Sequence, residues 1–118
     1  MKLIETSYDR QMKENILDVM EEVIGAPREL WEYRRSRRSD EVKIRHIYIY
    51  FLRKYGNYTL KTIADFVGHS NHTTIIHSLK IVNDWLDVPH MYQKEISILK
   101  QIEKIYGKKY ENSVDALA

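Results

Sequence analysis

The sequence predicts an all-α domain: a helical bundle that contains a helix-turn-helix and carries an added helix near its C-terminus. Three observations predict it. Apolar residues recur at three- and four-residue spacing over segments of helical length. The breaks between segments fall on glycine, proline and polar clusters. Two segments, one short and one long, meet at Gly68, and two helices joined by a tight glycine turn are the pattern of a helix-turn-helix.

The elements follow in order. Ser7 is placed to cap a helix whose apolar residues are Met12, Ile16, Val19, Met20, Val23 and Ile24. Gly25 and Pro27 stop it, and residues 28–31 fit one short turn. The stretch YRRSRRSDE reads as a polar, basic loop. Ser39, Asp40 and Glu41 begin the next helix, with acids at its positive end, and Ile44, Ile47, Phe51 and Tyr55 give it an apolar face. The piece IYIYF also suits a strand, being β-branched and aromatic. Helix is favoured because the pattern runs past strand length and leaves Arg53 and Lys54 off the face. Gly56 and Asn57 mark a turn, since both tolerate left-handed backbone.

The helix-turn-helix is expected over about residues 59–86. Thr59 caps a short helix with Leu60, Ile63, Ala64 and Val67 on its apolar side, and Gly68 ends it. The second helix is expected to start near Ser70 or Asn71 and to carry Ile75, Ile76, Leu79, Val82 and Leu86. Residues 87–89 punctuate. A last helix holds Tyr92, Ile96, Leu99, Ile102 and Tyr106 and ends at Gly107. The domain is thus read as 1–107, with 108–118 a flexible tail. Trp31 and Trp85 are read as core anchors, and most tyrosines as core edge.

Composition excludes several classes. A chain of 118 residues, 43% hydrophobic and 31% charged, has the make-up of one folded domain. No apolar run is long enough to span a bilayer, so no membrane association is expected. The absence of cysteine excludes disulfides and thiolate metal sites and suits a reducing cytoplasm. Net charge is only +2, so the distribution of charge matters more than its sum.

The stretch GHSNHTTIIHS carries the chemistry. In a helix-turn-helix the second helix presents its amino-terminal residues to the major groove of duplex DNA. Asn71 can form two hydrogen bonds with an adenine edge, His72 can donate or accept, and the Thr73 methyl can touch a thymine methyl. Thr74 and the first-turn amides suit a phosphate. The competing account is plain helix capping. Arg34, Arg35, Arg37 and Arg38 crowd the basic loop, and arginine fits phosphate and narrow minor grooves. Arg45 and Arg53, on the polar side of the next helix, are expected to add phosphate contacts. A solvated charged loop is the bland alternative, with Glu29, Glu32, Asp40 and Glu41 neutralising part of it. A zinc site on His69, His72 and His77 is disfavoured: His72 and His77 are five apart and point to different helix faces. His77 is expected to be packed or half-buried. No catalytic constellation and no G-x-x-x-x-G-K-[ST] phosphate loop occurs, so neither enzyme activity nor a cofactor is expected.

These residues bear a resemblance. TLKTIADFVGHSNHTTIIHSLKIV resembles the C-terminal DNA-binding domain of the bacterial replication initiator DnaA, whose signature has the form G-x-x-[DN]-H-T-T-[VI]-x-[HY]-[AS]. Gly68, Asn71, His72, Thr73, Thr74, Ile75, His77 and Ser78 fall on it. RRSRRSDEVKIRHIYIYFLRK resembles that family's basic loop and following helix, and ENILDVMEEVIG its entry helix. The resemblance covers roughly residues 14–86. It implies a Trp-repressor-like helical domain that binds a short asymmetric duplex box as a monomer. It implies base reading at Asn71, His72 and Thr73, minor-groove contact by the basic loop, and phosphate contacts near Ser70, Thr74, Arg45 and Arg53.

Departures from the family pattern bear on specificity. Many members have Asp in place of Asn71, Arg in place of Ser70 and Gly in place of His69. Asp accepts from cytosine whereas Asn prefers adenine, so a different box is implied. The loop aligns with or without a one-residue gap, which leaves Arg35 and Arg37 both as the groove-entering residue. With no phosphate loop, the ATPase module of the initiator has no counterpart here. The chain is read as a stand-alone box binder, or a fragment cut from a longer chain, in the nucleoid and acting in replication initiation or its regulation. The alternative is a helical adaptor or transcriptional regulator that keeps the fold, with a protein partner on its last helix.

Overall fold

A computed structural model describes residues 7–33, 38–69 and 71–111, apart from the side chains of residues 7–9. Along them run α1 (Ser7–Ile24), α2 (Ser39–Lys54), α3 (Leu60–Val67), α4 (Thr73–Asp87) and α5 (Gln93–Tyr106). Short 3-10 turns occupy Arg28–Leu30 and Pro89–Met91, and no strand occurs among the described residues. The IYIYF segment is helical and lies inside α2.

Helix ends fall where local chemistry places them. Gly25 takes φ +78 and its N–H donates to the Glu21 carbonyl at 2.9 Å, closing α1. Thr59 caps α3, its Oγ1 accepting from the Thr62 N–H at 3.1 Å. Gly68 takes φ +83, and the His69 N–H reaches back to the Ala64 carbonyl at 2.8 Å. That six-to-one bond is a Schellman closure, which needs a left-handed residue.

Packing centres on α2. Arg45, Ile47, Tyr48, Ile49, Phe51 and Leu52 are all buried, so the helix is covered on more than one side. It packs against α1, α3 and α4, and the buried residues of these helices and of α5 complete one core. The stacked rings of Phe51, Tyr55 and Tyr106 join α2 to α5, with centroids 5.4 and 4.0 Å apart.

The 3-10 turn after α1 is held by Arg28. Its guanidinium lies 2.6–2.8 Å from carboxylate oxygens of Glu14, Asp18 and Glu21 on α1. Hydrogen bonds from the Arg28 side chain and backbone hold the Glu21 carboxyl below its ordinary range. The clamp turns Trp31 inward, where it is fully buried, donates to the Ala26 carbonyl at 3.2 Å and meets Tyr48 edge-on.

One sequence expectation is corrected here. The tail expected to be loose from residue 108 begins as a π-helical turn, Gly107–Glu111. Tyr110 packs on Tyr106 at 4.9 Å between ring centroids, and Lys109 Nζ lies 2.8 Å from Glu22 on α1. A ring and an ion pair thus hold the turn onto the bundle. Residues 112–118 of that tail lie outside the described residues.

Gly68 and Gly25 provide a paired test. A side chain at Gly25 would meet nothing within 4 Å, whereas a Cβ at Gly68 would lie 2.3 Å from Cζ of Tyr33. Gly25→Ala should cost about 1–2 kcal/mol, from the left-handed conformation alone. Gly68→Ala should cost roughly 1–3 kcal/mol more, because the Tyr33 ring must move. Denaturant midpoints of the two variants measure the difference, and equal losses would show that the ring is not packed there.

Candidate nucleic-acid interface

The amino end of α4 is an exposed polar corner. Asn71, His72 and Thr73 are consecutive and all exposed, and Thr74 behind them is half-buried. The helix starts at Thr73, later than the Ser70 or Asn71 start that the sequence suggests. Asn71 is the reason: its Oδ1 accepts from the Thr73 N–H at 2.9 Å, an Asx turn that caps the helix from outside. The carbonyl end of the Asn71 side chain is therefore engaged in capping, and its NH2 takes no part in that bond. The first turn of α4 carries no acidic residue, so the positive helix end is not neutralised from within. Ser70 lies outside the described residues.

The outward face continues beyond this corner. Ile76, expected in the core, is 49% exposed, and Leu86 is also exposed. His77, expected to be half-buried, is exposed, as is Lys80. Buried positions on α4 are Ile75, Ser78, Val82 and Trp85. Thr73, Ile76, His77 and Lys80 stand at i, i+3, i+4 and i+7, one face of the helix. That spacing was available in the sequence; the run of two isoleucines hid it.

The basic loop is described only at its ends. Arg34, Arg35 and Arg37 lie outside the described residues, and Arg38, just ahead of α2, is exposed. Arg45 is corrected outright: it is not a surface cation for phosphate. Only 6% of it is exposed, its Nε donates to the Trp31 carbonyl at 3.2 Å, and its Nη2 donates to the Tyr33 carbonyl at 2.8 Å. Periodicity put Arg45 on the polar side of α2, but the chain between α1 and α2 folds back over it. Burial pulls its pKa down, opposed by Glu41. Arg53 is exposed, yet its Nη1 donates to the Tyr58 carbonyl at 2.7 Å, so part of its fork is already engaged.

Tyr33 is the residue that sequence reasoning missed. Its carbonyl is held by Arg45, and its ring covers the turn at Gly68. The start of the basic loop and the turn of the helix-turn-helix therefore touch. No sequence pattern signals a contact between segments so far apart.

Comparison with known proteins matches residues 14–82, more than half of the chain, to the family described as bacterial dnaA protein helix-turn-helix. The chain belongs to that DnaA family. A curated relative, the chromosomal replication initiator protein DnaA of Bacteroides thetaiotaomicron, is 31% identical over 75 residues. That alignment covers 64% of this chain and 15% of the relative, so the chain spans a small part of the relative's length. No solved structure matches. The DnaA region takes in α1 from Glu14, α2, α3 and most of α4; α5 lies beyond it. This DnaA module is non-catalytic. Among the described residues no group of three or more His, Asp or Glu side chains is placed to hold a metal ion. No helix among them is long and apolar enough to cross a membrane.

Behind the exposed face, His46 on α2 shares a hydrogen bond of 2.9 Å with the buried Ser78 hydroxyl on α4. Burial, then the nearby His77 and Arg45, push His46 down to about 4. An unfolded histidine titrates near pH 6.5. Because the folded value is the lower one, the folded chain binds a proton less readily than the unfolded chain. This contribution to stability is complete above about pH 6.5 and falls as pH drops from there towards 4. Thermal unfolding followed from pH 7.5 to 4.5 should show that loss, and His46→Gln should flatten it. An unchanged acid limb in the variant would place its origin elsewhere.

Proposed function

We propose that this chain binds double-stranded DNA sequence-specifically at a short, asymmetric DnaA-box-like site, and acts in replication initiation or its control. The observation that carries the reading is the polar corner of α4: Asn71, His72 and Thr73 exposed in succession on the second helix of a helix-turn-helix. In this reading α4 enters the major groove. His72 and the NH2 of Asn71 donate to base edges, and the Thr73 methyl contacts a thymine. Thr74, the first-turn amides and Ser70 contact phosphate. The loop carrying Arg34, Arg35, Arg37 and Arg38 reaches the adjacent minor groove. Arg53 is left as a phosphate contact, and Arg45 serves by fastening the loop. The name of the relative, a chromosomal replication initiator, supports the biological setting.

Selection of bound duplexes from a random pool gives the box and its symmetry. Binding should weaken steeply with salt, as counterions leave the phosphates. His72→Ala should cost about 1–3 kcal/mol of specific binding and relax preference at one or two positions, with little change in thermal stability. Asn71→Asp is the sharper variant, because it keeps the oxygen that caps Thr73 and removes only the amide donors. It should move preference at one position from a base edge that accepts a hydrogen bond towards cytosine, whose N4 donates. Coincident selection profiles for all three proteins, or no duplex binding at low salt, would overturn the proposal.

A further inference from the structure

Beyond the DnaA region, α5 presents a basic stripe that the bundle does not use. Its apolar residues Ile96, Leu99, Ile102 and Tyr106 are buried in the core. Its acids turn towards α2: Glu95 Oε2 lies 3.0 Å from Lys43 Nζ, and Glu103 pairs with Lys54. The opposite side carries Lys100 and Lys104, one turn apart, with Lys108 a turn further on, all exposed. No carboxylate among the described residues pairs with these three lysines. Ser97 and Gln101 lie beside them on the exposed side, joined by a hydrogen bond of 3.1 Å. A groove of about 550 Å³, with Ile96 and Pro89 among its lining residues, runs along the stripe.

We propose that this stripe is a second, sequence-independent contact for duplex DNA, so that one chain holds its box and another DNA segment together. Charge segregation argues for a polyanion: the helix keeps its acids on the inner side and shows lysines outward. The hydroxyl and amide beside the lysines are groups that hydrogen-bond phosphate oxygens. An apolar protein partner has little to grip, because the apolar face of α5 is already covered. The stripe lies on α5, outside the DnaA region that carries the reading corner, and is therefore assigned to a segment other than the box.

The first arm of the test rests on the proposed function: a selected box duplex is fixed to beads, the chain is bound, and a labelled random-sequence duplex is added. The wild type should capture the second duplex. Lys100→Gln/Lys104→Gln/Lys108→Gln should capture at least about fivefold less, while its affinity for the box alone changes less than twofold. Because these side chains are exposed, the triple variant should fold, which circular dichroism checks. A second arm is independent of the box, with the chain tethered by a terminal tag. There the triple variant should lower the salt slope of random-duplex binding by about 2–3 units. Asn71→Ala/His72→Ala should leave that loss intact. If the tethered chain shows this loss but no box can be selected, the stripe stands and the proposed function falls. If the triple variant captures duplex as well as the wild type, or the stripe retains polyglutamate in preference to duplex, the inference is overturned.

Discussion

The contact of the Tyr33 ring with the turn at Gly68 sets the relation between the parts of this domain. The ring occupies the space a side chain at residue 68 would need, and the left-handed backbone there disfavours any other residue. Arg45 completes the arrangement from below, donating to the carbonyls of Trp31 and Tyr33. Burying a guanidinium is costly unless its N–H groups find partners, and two backbone carbonyls supply them. Neither carbonyl belongs to a helix, so Arg45 also satisfies oxygens that the crossing chain would otherwise bury unpaired. Tyr33, the last described residue ahead of the basic loop, is thus held beside the helix-turn-helix. Packing, not sequence proximity, brings the chain at Tyr33 beside the turn at Gly68.

Stability and recognition are divided along the same lines. The core gathers around α2, with Arg28 clamping the 3-10 turn to α1 and the Tyr55–Tyr106 stack bringing α5 onto the bundle. The exposed corner of α4 contributes little packing. Its one evident structural duty is the Asx cap from Asn71, which uses the oxygen of that side chain and leaves the nitrogen out. The capping and reading accounts of Asn71 are therefore compatible: one side chain has an end for each.

Most helix boundaries, the start of α4 apart, were legible because their causes are local. Thr59, Gly68, Gly25 and Pro89 act on the backbone within a turn of themselves. The motif around Asn71, His72 and Thr73 was legible because it is contiguous. What escaped the sequence depends on distant segments. Periodicity assigns Arg45 to a polar face, and only the chain crossing above it makes that face an interior. Ile76 looks like core by composition, yet α4 turns it outward. Tyr110 looks like tail, yet it has Tyr106 one turn behind to pack against. Tyr33 carries no signal at all, since its partner at Gly68 lies on the far side of α2 in the chain.

In the proposed function, the loop and the helix-turn-helix act on DNA as one registered unit. Footprinting on a selected duplex tests it most directly, with one reagent that reports the minor groove and one that reports purine edges in the major groove. For the wild type, protection should appear in both grooves at a fixed offset. Arg45→Met keeps the bulk but loses the bonds to the loop, so it should blur or remove the minor-groove protection and leave the major-groove protection in place. Identical footprints in both grooves for the variant and the wild type would contradict the account.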